Sequence, residues 1–184
     1  MTAKILVTGG AGFIGSEIVK QLSAHDEYEI RVLDALTKQI HGNNPEKSYL
    51  FQSIKDCCDF IRGDVRDFTT VQKALEGVDV VLHLAAETGT GQSMYMINQY
   101  NEVNVMGLSN IFQALSLKGE SNTIRKVILS SSRSVYGEGE YQCPNCGVVY
   151  PRGRKTKDMM QGDFTMHCDK CNTALTLMPT TEDS

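Results

Sequence analysis

The chain has 184 residues, 41% of them hydrophobic and 22% charged, with a formal net charge of −4. Such a chain has room for one ordinary domain plus a small appendage and enough apolar residues to bury a core. Its mild acidity argues against a general binder of nucleic acid or acidic membranes, and no apolar run approaches the ~18 residues needed to span a bilayer.

Residues 1–4 lead straight into an apolar strand, with no secretory apolar region before it, so a cytoplasmic location is expected. In that reducing setting the six cysteines are read first as metal ligands rather than disulfides. Lys4 to Val7 reads as a buried parallel strand running into glycines. Phe13 to Ala24 has helical spacing, with Phe13, Ile14, Ile18, Val19 and Leu22 on one side. Ile30 to Asp34 is a second strand, and residues 35–58 read as polar and irregular, with a turn at Gly42-Asn43-Asn44-Pro45. A third strand at Asp59 to Gly63 precedes a helix from Thr69 to Glu76, closed by Gly77. Val78 to Leu84 is the fourth strand, and Ala85 to Ser93 a glycine-bearing loop. Residues 94–118 carry a long helical pattern with a break expected near Asn104, and Lys126 to Ser131 is the fifth strand.

Strands alternating with helices at this spacing imply βαβ units with right-handed crossovers. The expected fold is α/β, a Rossmann-type doubly wound parallel sheet carrying a small cysteine-rich zinc-ribbon insertion. The composition changes at Gly137, which suggests residues 1–138 as the nucleotide-binding domain, 139–178 as the insertion and 179–184 as the start of a further region.

Thr8-Gly9-Gly10-Ala11-Gly12-Phe13-Ile14-Gly15 sits between the first strand and the first helix. Gly9 permits the tight turn, Gly12 lets backbone approach a pyrophosphate, and Gly15 allows close helix–strand packing. Backbone N–H groups at the helix start, around Phe13 and Ile14, then face the phosphates. Asp34 ends the second strand 19 residues beyond Gly15. A carboxylate there accepts hydrogen bonds from the adenosine ribose and repels a 2′-phosphate, so the expected cofactor is NAD rather than NADP.

Cys143-x-x-Cys146-Gly147 and Cys168-x-x-Cys171 are separated by 21 residues. Each knuckle offers two thiolates to one ion, and four protein ligands leave no open position, so the zinc expected here is structural. His167 is read as solvent-facing rather than a ligand. Cys57 and Cys58 are adjacent, cannot form such a knuckle, and read as ordinary buried or half-buried cysteines. Residues 140–175 balance Arg152, Arg154, Lys155, Lys157 and Lys170 against Glu140, Asp158, Asp163 and Asp169, which leaves no field for nucleic acid. The Arg152 to Lys157 cluster is read as a solvated loop.

The glycine loop resembles the G-x-x-G-x-x-G variant of the short-chain dehydrogenase/reductase superfamily, in particular its extended branch of nucleotide-sugar enzymes. Gly63-Asp64-Val65-Arg66-Asp67, His83-Leu84-Ala85-Ala86, Asn104-Val105-Met106-Gly107 and Ser130-Ser131-Ser132-Arg133-Ser134-Val135-Tyr136-Gly137 extend the resemblance, in order, over residues 4–137. It implies that Asp64 and Val65 contact the adenine and that Leu84, Ala85 and Ala86 line the cofactor. It implies a cofactor-side role for Asn104, beside the alternative that Asn104 only kinks its helix. Ser132 matches the catalytic serine that hydrogen-bonds the reacting sugar oxygen. The segment from Glu87 to Tyr95, with a cysteine-bearing insertion after Gly139, resembles the dTDP-L-rhamnose 4-epimerase group, which would turn Thr88 and Thr90 toward nicotinamide or sugar.

The resemblance implies an NAD-dependent 4-epimerase acting on a nucleotide sugar through a 4-keto intermediate, with room for a homodimer of a longer protein. The same superfamily also holds dehydratases and reductases, although Arg133-Ser134 stands where dehydratases commonly place an acid–base pair. A non-catalytic NAD-sensing or zinc-ribbon interaction protein is the alternative from another class. The family's base is the tyrosine of a Tyr-x-x-x-Lys motif, and none of the seven tyrosines here has lysine four places on. Pro179 to Ser184 resembles the segment that precedes this motif in the family. The expectation is therefore a truncated chain, inactive by itself, with tyrosine, lysine and the sugar-binding region downstream.

Overall fold

The computed structural model describes residues 2–182. Residues up to Ser130 and residues from Ser131 onward form two compact units.

The first unit is built on a five-stranded parallel sheet of β1 (Ala3–Thr8), β2 (Tyr28–Asp34), β3 (Asp59–Arg62), β4 (Val80–His83) and β5 (Lys126–Leu129), in the order β3-β2-β1-β4-β5. Every neighbouring pair is parallel. The connections are helical: α1 (Phe13–Ser23), two short helices α2 (Lys38–His41) and α3 (Tyr49–Gln52), and α4 (Phe68–Ala74). Beyond β4 come α5 (Thr90–Ser93), α6 (Ile97–Asn101), a π-helical turn over Glu102–Met106, and α7 (Gly107–Lys118).

Successive side chains of a strand point to opposite faces, and both faces of this sheet are buried. Ile5 and Val7 of β1 pack with Val19, Ile30, Val32 and Ile54 on the α1–α3 face. Leu6 packs with Leu33, Val71, Leu75, Val81 and Ile111 on the α4–α7 face. Helices on both faces of a parallel sheet make this the expected doubly wound architecture.

Four local expectations are corrected. Phe13 and Ile14 are 84% and 64% exposed, and the buried residues of α1 are Gly15, Ser16 and Val19. Small residues let α1 approach the glycine loop closely, so its face is set by contact distance rather than hydrophobicity. The 35–58 segment holds α2 and α3, because Ser48 caps α3 by accepting a hydrogen bond from the Phe51 N–H at 3.3 Å. The loop after β4 holds α5. Cys57 is exposed, while Cys58 is half-buried; both thiols donate to the Ile54 carbonyl. The break near Asn104 is present as the π-helical turn.

The second unit contains a three-stranded antiparallel sheet in the order β7-β6-β8, from β6 (Tyr141–Cys143), β7 (Gly147–Val149) and β8 (Thr176–Leu177), with α8 at Thr156–Met160. Of the segment read as the start of a further region, Asp183 and Ser184 lie outside the described residues. No helix among the described residues is long and apolar enough to cross a membrane.

Candidate functional site

The strand order reverses direction between β1 and β4, and the carboxyl ends of these strands open the crevice where doubly wound sheets bind ligands. Gly9 follows β1 with φ +69°, and a Cβ there would lie 2.7 Å from the Ala85 nitrogen. Only glycine allows the loop to close this tightly on the chain leaving β4. At Gly15 a Cβ would stand 2.7 Å from the Gly10 Cα, which confines that helix position to glycine as well. The Phe13 and Ile14 N–H groups bond no carbonyl among the described residues, so the first turn of α1 presents free donors beside exposed apolar side chains.

Asp34 supports this loop from β2. Its Oδ2 accepts from the Ala11 N–H at 2.9 Å and its Oδ1 from the Leu36 N–H at 2.8 Å. The second bond closes a turn in which Leu36 takes φ +52°, a strained value for a branched side chain. Arg31, earlier on β2, is committed elsewhere: it pairs with Asp59 at 2.7 Å and donates to the Ala74 and Glu76 carbonyls.

Two buried polar residues beneath the loop escaped sequence reading. The Thr8 hydroxyl accepts from the Ala85 N–H at 3.2 Å and lies 2.7 Å from His83 Nδ1, joining the ends of β1 and β4. Burial pushes the His83 pKa down and keeps the ring neutral. A polar residue at the last position of each apolar strand was the available signal.

Asp64 accepts from the Arg66 backbone N–H at 2.9 Å and from its guanidinium at 2.7 Å. Burial pushes the Asp64 carboxyl up, but the Arg66 bonds outweigh it and hold the pKa below the usual carboxylate range. Val65 is buried in the core, and its carbonyl accepts from Asn110, so its side chain is turned away from the surface. Leu84 and Ala85 are half-buried and Ala86 exposed.

The loop carrying Thr88 and Thr90 is held from the helices beyond it. Asn104 Oδ1 accepts from the Glu87 N–H at 2.7 Å and its Nδ2 donates to the Glu87 carbonyl at 3.1 Å. The Tyr100 hydroxyl lies 2.7 Å from the Thr88 carbonyl and 3.0 Å from that of Gly89. Thr88 and Thr90 are themselves exposed.

In the second unit, Ser132 Oγ accepts from the Ser134 N–H at 3.1 Å and caps a 3₁₀ turn over Arg133–Tyr136. The Sγ atoms of Cys143, Cys146, Cys168 and Cys171 lie within 4.8 Å of one another. Cys171 Sγ is 3.5 Å from that of Cys143 and 3.6 Å from that of Cys146. The two knuckles are built alike: Gly147 and Asn172 follow the second cysteine of each, with φ +76° and +56°. Asparagine is the residue after glycine that best tolerates this region, a signal the sequence carried unread. The Thr173 hydroxyl and N–H hold the Cys171 thiol down at about 6, whereas neighbouring sulfurs, Cys171 first, push Cys146 up to about 12. His167 is half-buried and outside the sulfur cluster. The Arg152 to Lys157 cluster is not simply solvated: Arg154 pairs with Glu138 at 3.0 Å and donates to the Phe164 carbonyl, and Lys155 donates to Asn172.

A parallel doubly wound sheet with a glycine loop braced by a strand-end carboxylate defines a dinucleotide-binding protein, and the chain belongs to the NAD dependent epimerase/dehydratase family, whose model matches residues 5–152. It is 38% identical over 165 residues to dTDP-L-rhamnose 4-epimerase of Burkholderia thailandensis, a match covering 88% of this chain and 44% of that protein. A UDP-glucuronic acid 4-epimerase variant from Bacillus cereus, solved with UDP-4-deoxy-4-fluoro-glucuronic acid and NAD, matches at TM-score 0.65 and 32% identity over 78% of this chain and 44% of that one. The UDP-glucose 4-epimerase of Stenotrophomonas maltophila, solved with NAD and formylated UDP-arabinopyranose, matches at TM-score 0.60 and 25% identity over 78% and 40%. The chain spans less than half the length of each of these relatives.

Proposed function

We propose that this chain is the NAD-binding part of a nucleotide-sugar 4-epimerase. The observation that carries the reading is Asp34, fixed at the end of β2 by the Ala11 and Leu36 N–H groups beside the glycine loop. A carboxylate at this point favours ribose hydroxyls and repels a 2′-phosphate. The first turn of α1, with Gly12, Phe13, Ile14 and Gly15, supplies N–H donors to the pyrophosphate. Asp64 and the Val65 backbone serve the adenine side, and Leu84, Ala85 and Ala86 the face next to β4. Asn104 acts through Glu87, holding Thr88 and Thr90 where nicotinamide or sugar would lie.

NAD, when bound, would supply the hydride acceptor and donor that 4-epimerisation needs. In this reading Ser132 hydrogen-bonds the reacting sugar oxygen, and the proton acceptor is the tyrosine of a Tyr-x-x-x-Lys motif, which these 184 residues do not contain. The nucleotide sugar is the partner of the whole protein, and its identity follows the relatives only as far as the epimerase class.

The sulfur cluster is assigned a structural zinc. Sulfurs at about 2.3 Å from a tetrahedral zinc stand about 3.8 Å apart, which the spacing here approaches. Four thiols this close cannot all ionise without a cation, and the donor set is closed, so the metal shapes the ribbon over residues 139–178 and takes no part in hydride transfer.

Equilibrium titration of the chain with NAD and NADP tests the cofactor reading. NAD is expected to bind at least tenfold more tightly than NADP, roughly the discrimination of one lost charge repulsion. Equal binding of the two, or binding of neither, would overturn it.

A further inference from the structure

His41 closes the same corner as Asp34 and has no place in the sequence-derived site. It ends α2, and its ring is almost wholly buried, with 1% of the side-chain surface remaining. One ring nitrogen is spoken for: Nδ1 lies 2.7 Å from the Ser48 hydroxyl. That hydroxyl oxygen also accepts from the Phe51 N–H and still has its own proton to give to Nδ1. With the Ser48 proton in that bond, the proton of a neutral His41 ring resides on Nε2. Burial favours that neutral ring by pushing the His41 pKa down, against the pull of the Asp34 charge.

Nε2 has no hydrogen-bond partner among the described residues and stands 4.0 Å from Asp34 Oδ1. No fully buried side-chain nitrogen or oxygen among them lacks a partner. Nε2 therefore keeps some contact with solvent, beside the carboxylate, which keeps 10% of its own side-chain surface. Four ångströms is too long for a direct hydrogen bond. It suits an inserted oxygen, since an atom about 2.8 Å from each end closes a triangle on that base. Such an oxygen must donate to a carboxylate and accept from an N–H. A hydroxyl does both; a phosphate oxygen has no proton to give.

We propose that His41 is a specificity-determining residue of the dinucleotide site: with Asp34 it brackets one hydroxyl of the adenosine ribose, donating from Nε2 while Asp34 Oδ1 accepts. The inference rests on the NAD reading above and adds a second reader of the ribose, one that recognises the hydroxyl oxygen. Ser48 is its positioning residue, fixing the ring tautomer from the start of α3.

The test measures binding of NAD and of its 2′-deoxyadenosine and 3′-deoxyadenosine forms to the chain and to His41→Phe, which keeps an aromatic ring without the donor. The substitution is expected to weaken NAD about five- to tenfold, the effect of one buried hydrogen bond. It should weaken the form lacking the bracketed hydroxyl about twofold or less. His41→Gln, which restores an N–H near Nε2, should recover much of the loss. Equal weakening of all three ligands, or unchanged NAD affinity, overturns the inference and leaves the NAD reading standing. Asp34→Ala examines that reading separately: NAD affinity unchanged by it, or no NAD binding by the unmodified chain, overturns both. Histidine ¹⁵N spectra of the ligand-free chain provide a measurement independent of variant folding. A proton on Nε2 is expected, and a proton on Nδ1 overturns the inference.

Discussion

The side-chain amide of Asn104 pairs with both backbone groups of Glu87, accepting from its N–H at 2.7 Å and donating to its carbonyl at 3.1 Å. It does for the loop after β4 what a neighbouring strand would do, and the π-helical turn over Glu102–Met106 holds the residue that does it. Replacing Asn104 with alanine leaves that backbone donor and acceptor to solvent. The expected cost is about 0.5–1.5 kcal/mol, with faster amide exchange confined to residues 87–93. Exchange spread evenly over the sheet would show that Asn104 stabilises the whole unit rather than the loop.

Gly9 and Gly91 make a matched pair for the glycine loop. A side chain at Gly9 meets the Ala85 backbone at 2.7 Å in a positive-φ conformation, whereas nothing lies within 4 Å of a Cβ built on Gly91 in α5. Gly9→Ala is expected to destabilise the first unit by about 3 kcal/mol, combining steric overlap with an unfavourable backbone region. Gly91→Ala should change stability by about 1 kcal/mol or less, toward greater stability. Urea denaturation of both variants checks this, and similar effects from the two would sink the close-approach argument.

The alternation of strands and helices was legible because buried parallel strands are short apolar runs between turn residues. The cysteine knuckles were legible because two ligands on one tight turn need a fixed spacing. The helix break near Asn104 also left a trace in the pattern. The buried face of α1 did not: Gly15 and Ser16 carry no hydrophobic signal, and the exposed Phe13 and Ile14 carry a strong one. Nor did His41, which lies seven residues beyond Asp34 in a segment that reads as irregular. It meets the carboxylate only because Leu36 turns the chain back at positive φ, and no spacing rule encodes that turn.

His83 gives the first unit a pH dependence. Its folded pKa is depressed by burial, so the unfolded chain binds the proton more readily than the native one. Stability is then fully present above the unfolded value of about 6.5 and falls as pH drops below it toward the depressed native value. Burial depresses His41 in the same direction, though Asp34 opposes it. His83→Gln should therefore lose less stability than the unmodified chain between about pH 7 and pH 5. Parallel denaturation curves for the two proteins across that range would show that His83 does not carry the effect.

The second unit has little else than its sulfur cluster to hold it. Among the described residues its buried apolar side chains are Tyr141, Cys143, Pro151, Met166 and Cys168, two of which belong to the cluster itself. A core this small rarely sustains a fold, and in small domains metal binding supplies folding free energy directly. Purified protein is expected to carry about one zinc per chain, and cobalt in its place should give the visible absorption of a tetrahedral thiolate site. Because the ligands bind as thiolates, affinity should weaken as pH falls and protons compete for sulfur. Chelation, or Cys168→Ser, should open residues 131–182 to protease while the first unit keeps its melting transition. Metal-free protein whose second unit resists protease equally well would exclude zinc as the element that folds it.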